Sequence, residues 1–313
     1  MRGVYCDGSS ITLRRDLSRP AAGPGEVVLK VRTVGICDTD IQLARGYMGF
    51  RGVLGHEFVG RSDDGRRVTA EINNACHACP TCLAGRPGHC PNRSVLGIFL
   101  HDGAMADFVA VPSRNLHEIP DSVDDHAAVF IEPLAAAFRI TEQVPMGPGL
   151  TFAVLGDGKL GTLCAWVART TGAEVHLVGK HPDKLAITGE GIQTHTLDEA
   201  EALAKRFDVV ADCTGSNTGL ATALTLVRPC GTLVLKTTVA GMYSVDLSPV
   251  VIDEVRVVGS RCGPFPRAID ALARRTIDVR PLIGRVYPLD EAEAAFKAAG
   301  ARGARKILID VSD

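Results

Sequence analysis

Aromatic residues are scarce: one Trp, 4 Tyr and 10 Phe make up 5% of the 313 residues. That argues against a large aryl ligand. An excess of one charge sign is also missing, since 34 basic residues stand against 36 acidic ones and the formal net charge is −2. The chain therefore offers no electrostatic case for nucleic acid or an anionic membrane surface. No apolar run reaches the ~20 residues a membrane span requires. No basic segment followed by an apolar stretch opens the chain, so no secretion signal is read there. Internal repeats and low-complexity linkers are lacking too. These absences lead to the expectation of a soluble, cytoplasmic protein that acts on a small molecule.

A hydrophobic fraction of 46% over this length is enough for two packed domains. The chain has 10 cysteines, and without a secretion signal a disulfide framework is a weak reading. Cys6, Cys164, Cys213, Cys230 and Cys262 are scattered through apolar or strand-like text and read as small core residues. Cys76, Cys79, Cys82 and Cys90 instead cluster in "CHACPTCLAGRPGHC", bent by Pro80, Gly85, Pro87 and Gly88. Thiolates at this spacing can converge on one tetrahedral zinc, and a site filled by four sulfurs leaves nothing open for substrate. The alternatives are two disulfides or an iron–sulfur cluster. On the zinc reading the stretch clasps a lobe, and the chemistry lies elsewhere.

Three residues qualify for that chemistry. Cys37 ends the strand-like run "EVVLKVRTVGIC", His56 follows a glycine in "GHEFVG", and Glu132 precedes Pro133 and an apolar helix in "FIEPLAAAF". One sulfur, one imidazole and one carboxylate make a three-ligand set with a vacant fourth position, as catalytic zinc uses.

The second half carries a nucleotide signal. An apolar strand over 151–155 leads into Gly156-Asp157-Gly158-Lys159-Leu160-Gly161, then an apolar helix, then a strand over 174–178. In this context Gly156 permits the tight turn, Gly158 lets backbone approach a pyrophosphate, and Gly161 lets helix and strand pack closely. Dinucleotide enzymes that use NAD place an acid at the end of the second strand. Here Gly179, Lys180 and His181 stand in that region, which favours NADP with NAD as the alternative. Strand-like runs at 207–212, 230–236 and 255–259 alternate with helical text at 183–190, 198–206 and 217–227. The pattern predicts a parallel sheet covered on both faces. Thr214, in "DCTGS", should lie along the cofactor groove, and "KTTVAG" (236–241) should approach its nicotinamide end. "GMYSVDLS" (241–248) is a further strand candidate, and Asp290 reads as the cap of a helix in the last stretch, 283–310.

Taken together, "GICDTD", "GHEFVG", the four-cysteine lobe and "EPLA" occur in an order that resembles the zinc-dependent medium-chain alcohol dehydrogenases, in the branch of polyol, threonine and glucose dehydrogenases. The resemblance covers nearly the whole chain. It implies an α/β fold with a GroES-like, mostly β catalytic domain (1–134), a Rossmann-type coenzyme domain (135–270) and a return to the first domain (271–313). It also implies a homo-oligomer, dimer or tetramer, and two zinc ions, one catalytic and one structural. Cys37 and His56 would bind the catalytic zinc, with Glu132 as the third ligand and Glu57 as an alternate. Asp40 would orient the histidine, and Thr39 would take the alcohol proton. The implied reaction moves a hydride between a secondary alcohol or polyol, or its ketone, and NADP(H).

Some features depart from the family pattern. Gln42 stands where many relatives carry a relay histidine, and Asp38 follows the zinc cysteine where Gly or Arg is frequent. "RSDDGRRV" is about ten residues shorter than the usual link. Thr39, Tyr47, Phe50, Phe99 and His101 are the expected pocket lining. Two rival functions are a catalytically silent NADP(H)-binding relative acting as a sensor, and a zinc-lobe interaction module.

Overall fold

A computed structural model gives the fold and describes residues 1–238 and 244–311. The chain divides into two units: Met1–Glu132 with Ile269–Ala273 and Val279–Asp313, and Pro133–Ala268 with Arg274–Asp278. It passes between them at 132/133, at 268/269 within the helix Phe265–Ala273, and again at 273/274 and 278/279; the expected joints were 134/135 and 270/271.

In the first unit the ten-residue strand Glu26–Gly35 organises a seven-stranded sheet. Its β-branched run "VVLKVRTV" suits a pleated surface, and Leu29, Val31 and Val34 are fully buried. It pairs antiparallel with Glu57–Arg61, Phe108–Pro112 and Lys306–Asp310. Gly35 lies opposite both Glu57 and Leu308, so Glu57 and Lys306 reach the end of the sheet from which Cys37 emerges. The short link "RSDDGRRV" folds as a tight turn, with the Gly65 amide donating to Ser62 O at 2.9 Å, and returns as Arg67–Ala70.

The second unit holds six parallel strands in the order Gln193–Thr196, Glu174–Gly179, Thr151–Leu155, Phe207–Asp212, Val227–Leu235, Arg256–Gly259. That order belongs to the doubly wound dinucleotide fold. Phe152, Val154 and Phe207 are fully buried, each side chain contributing roughly 1.5–3 kcal/mol of transfer free energy. The helix Lys159–Arg169 buries residues 161–168 against this sheet, and the indole N–H of Trp166 donates to Thr188 O at 2.9 Å.

Three elements differ from the sequence reading. Gln193–Thr196 is an edge strand whose polar text "QTHT" gives no hydrophobic period. Asp290 sits inside a 3-10 turn, Leu289–Glu291, and does not cap the helix Ala292–Ala299, which Glu291 precedes; its carboxylate pairs with Arg15 (2.9 Å) and Arg2 (3.5 Å) instead. "GMYSVDLS" lies outside the described residues at 241–243; 244–247 carry no strand, and a helix starts at Ser248. "KTTVAG" likewise falls outside at 239–241. Among the described residues no helix is long and apolar enough to cross a membrane.

Candidate active site

Cys37 caps the six-residue helix Asp38–Leu43 directly after the central strand. The Asp40 carboxylate, fully buried, accepts the Cys37 amide at 2.8 Å and the Gly55 amide at 3.2 Å. It thereby ties the strand end to the segment carrying His56. The Cys37 sulfur, a His56 ring nitrogen and a Glu57 carboxylate oxygen lie within 4.8 Å of one another. Ligands on one tetrahedral zinc stand about 3.6 Å apart, so the three groups lie within the range a small shift would close.

The electrostatics of this cluster ask for a cation. His56 Nδ1 is buried and lies 3.3 Å from Asp40 Oδ1 but out of line, so it has no hydrogen-bond partner among the described residues. Burial works against the charged imidazole, yet the facing Asp40 carboxylate and Cys37 sulfur hold its pKa well above the usual value. The donor set and this demand for positive charge fit a divalent metal. Glu57 pairs with Lys306, and both side chains are almost wholly buried. Burial lowers the Lys306 pKa, but Glu57, and after it Cys37, raise it above the ordinary range. Asp38, exposed on the helix, adds to that field.

The expected residues are distributed as follows. Thr39 lies in the first turn of the Cys37-capped helix, half-buried, with Gln42 on the same helix. Glu132 opens the helix Ile131–Gln143, half-buried, and is not among the three gathered donors. Phe50 is in the core and Phe99 is 41% exposed. Lys306 was missed. Its signal was a lysine heading the apolar strand "KILID", 249 residues from Glu57.

The second candidate metal group is the lobe. Cys76, Cys79, Cys82 and Cys90 converge, with sulfur–sulfur distances of 3.5 Å (Cys79–Cys82), 3.5 Å (Cys76–Cys90) and 3.8 Å (Cys79–Cys90). Four sulfurs at about 2.3 Å from one zinc would stand about 3.8 Å apart. All four are free thiols, so the disulfide alternative is absent here. The Ala78 and Cys79 amides pull Cys76 down to about 6, while loss of solvent and the Cys79 thiol push Cys82 up to about 12.

In the second unit Gly156 adopts φ +117°, a conformation other residues rarely take. A Cβ on Gly161 would lie 1.9 Å from Gly156 O, so only glycine lets the helix start this close to the strand. A Cβ on Gly158 would meet nothing within 4 Å, which leaves that side open for a phosphate. Lys159 and Leu160 begin the helix. The Thr214 hydroxyl and amide donate to buried Asp212 at 2.8 and 3.0 Å. Gly179 ends its strand, followed by exposed Lys180 and half-buried His181.

Comparison with known proteins adds to this geometry. Residues 23–121 match the alcohol dehydrogenase GroES-like domain, and residues 160–275 match the zinc-binding dehydrogenase family. A sorbitol dehydrogenase of Halalkalibacterium halodurans is 27% identical over 94% of each chain. An L-idonate 5-dehydrogenase of Vitis vinifera is 27% identical over 93% of this chain and 88% of its own. Among solved structures, one described as a zinc-binding dehydrogenase from Sinorhizobium meliloti 1021, bound to NADP, is 30% identical over 99% of both chains, with a TM-score of 0.89. An Escherichia coli CFT073 alcohol dehydrogenase complexed with NADH is 25% identical with a TM-score of 0.90.

Proposed function

The chain belongs to the zinc-dependent medium-chain alcohol dehydrogenase family, in its polyol branch, and from that premise we propose that it moves a hydride between a polar secondary alcohol or polyol and NADP(H). The observation that carries the reading is the gathering of Cys37, His56 and Glu57 beside a buried lysine. Cys37 and His56 would hold the catalytic metal, with Glu57 as the carboxylate in reach and Glu132 as the one it exchanges with. A zinc ion bound there supplies Lewis acidity, which brings an alcohol's pKa toward neutrality. Asp40 fixes the Cys37 and Gly55 amides and so the spacing of the two ligands. Lys306 holds Glu57 in a partner-satisfied state when it is not needed as a ligand. The Thr39 hydroxyl is the group that takes the alcohol proton, and with Gln42 unable to titrate, water carries it onward. Gly156, Gly158, Gly161, Lys159, Leu160 and Thr214 would hold the nicotinamide cofactor, which supplies or accepts the hydride. Lys180 and His181, with no acid at Gly179, favour the 2′-phosphate of NADP.

The test is a panel of secondary alcohols, polyols and sugars run with both cofactors and followed by nicotinamide absorbance, with zinc counted on the same protein. Turnover with about two zinc ions per chain supports the reading. No turnover on any substrate with both cofactors bound would favour the silent sensor instead.

A further inference from the structure

The residue between the first two glycines of the turn is Asp157, only 9% exposed. Its Oδ2 accepts the Lys180 amide at 2.6 Å and the His181 amide at 2.7 Å. The His181 ring nitrogen Nδ1 lies 3.1 and 3.0 Å from its two oxygens; a carboxylate only accepts, so Nδ1 is the protonated nitrogen. Burial opposes ionisation of Asp157, yet the His181 ring and the two amides outweigh it and hold the carboxyl below its usual range. Both oxygens are thus already engaged by the protein.

Gly179 shows what this arrangement displaces. A Cβ there would lie 2.5 Å from both Cβ and Oδ2 of Asp157 and 2.8 Å from its Cγ. Real Cβ atoms do not come so close to a neighbour's Cβ. A side chain at 179 and the carboxylate at 157 compete for one volume. In this fold an acid at the end of the second strand binds the adenosine ribose 2′-hydroxyl and repels a 2′-phosphate. Here the acid sits on the glycine turn and the glycine on the strand end.

We infer that Asp157 is a specificity-positioning residue: it anchors the Lys180–His181 turn at the adenosine-ribose end of the site, and it excludes from position 179 the acid that would select NAD. The inference deepens, and rests on, the NADP preference proposed above. Two consequences follow from the shared volume. Gly179→Asp alone fails to create an NAD site, because the new side chain and Asp157 cannot both be seated. Gly179→Asp combined with Asp157→Gly restores the strand-end acid and frees its place.

The experiment titrates the full-length wild type and variants with NADPH and with NADH by nucleotide fluorescence, which reads binding without turnover. Wild type is expected to bind NADPH the tighter. Asp157→Asn should weaken NADPH about tenfold and leave NADH within about twofold, since only the phosphate depends on the anchored turn. Gly179→Asp should lose NADPH without gaining NADH, and the double variant should bind NADH about tenfold tighter than Gly179→Asp does. Equal weakening of both nucleotides in Asp157→Asn, with native folding confirmed by near-UV dichroism, would reduce Asp157 to a structural residue and overturn the inference. So would a Gly179→Asp single variant that gains NADH as fully as the double. A wild type with equal affinity for the two nucleotides sinks the NADP reading by itself; the competition between 157 and 179 is then judged on the single and double variants' NADH affinities alone.

Discussion

The two metal settings of the first unit are built on opposite plans. The lobe offers four groups of one kind on a 15-residue stretch, Cys76 to Cys90, with Cys79 capping and Cys82 inside the one-turn helix Pro80–Leu83. The Cys37 setting mixes sulfur, imidazole and carboxylate, drawn from one end of a sheet's central antiparallel pair, and carries its own cation in Lys306. The lobe is closed at its base by the short ladder Asn73–Asn74 with Ser94–Val95, but between 76 and 90 only Cys90 is buried, so a bound metal would be its core. The Cys37 setting is folded by the sheet and by Asp40, so a metal there would be a guest. The first arrangement makes binding energy into folding energy; the second leaves it for chemistry.

The widest gap between them should appear on losing one ligand from each. Cys90→Ser is expected to abolish soluble protein, since a structural zinc contributes on the order of 10 kcal/mol to such a lobe. Cys37→Ser should stay folded and keep NADPH affinity while turnover drops about a thousandfold, the loss of about 4 kcal/mol of Lewis-acid stabilisation. Expression level, nucleotide fluorescence and steady-state rates read all three quantities. A folded, metal-free Cys90→Ser protein would erase the distinction.

Next in size is the buried pair. Lys306→Met strands the Glu57 carboxylate and should cost about 3–5 kcal/mol in urea unfolding, most of it recovered in Lys306→Met with Glu57→Leu. The lobe has no counterpart to that rescue. Smaller again is the choice of carboxylate. Glu57→Gln should weaken zinc at the Cys37 setting about 10- to 100-fold, and Glu132→Gln should leave about two zinc ions per chain. Zinc counted after mild dialysis against a chelator checks it, and the reverse pattern gives Glu132 the third position.

The lobe and the glycine turn were legible because each is local: the spacing of Cys76, Cys79, Cys82 and Cys90 and the run from Gly156 to Gly161 contain their own geometry. The parallel sheet, though not the order of its strands, was legible from alternating text. What stayed hidden depends on pairing over distance. Lys306 meets Glu57 only because the strands Lys306–Asp310 and Glu57–Arg61 flank Gly35, whose missing side chain leaves 2.7 Å to Glu57 Oε2. Asp157 was given no role, because nothing in the linear text says that Gly179 yields it room. The edge strand Gln193–Thr196 was hidden by its polar composition, since edges need no hydrophobic period.

The smallest effect comes from an ion triad in the same unit that contains no candidate ligand, and it measures what ordinary electrostatics contribute there. Asp125 accepts from Arg32 Nε at 2.5 Å and pairs with Arg67 at 2.7 Å. Partial burial raises its pKa, but Arg32 and then Arg67 outweigh this and leave it below the usual carboxylate value. A depressed carboxyl adds stability above its unfolded pKa of about 3.9 and loses that contribution as pH falls through the folded value. Solvent reaches part of the triad, so the contribution is discounted to about 0.5–1 kcal/mol. Asp125→Asn should therefore lower unfolding stability by that amount at pH 7, and the difference from wild type should begin to narrow below about pH 4, as the pH approaches the depressed folded value. Urea titrations at pH 7, 5 and 3.5 measure it. A gap as large at pH 3.5 as at pH 7 would mean that Asp125 acts through packing or helix geometry and not through its charge.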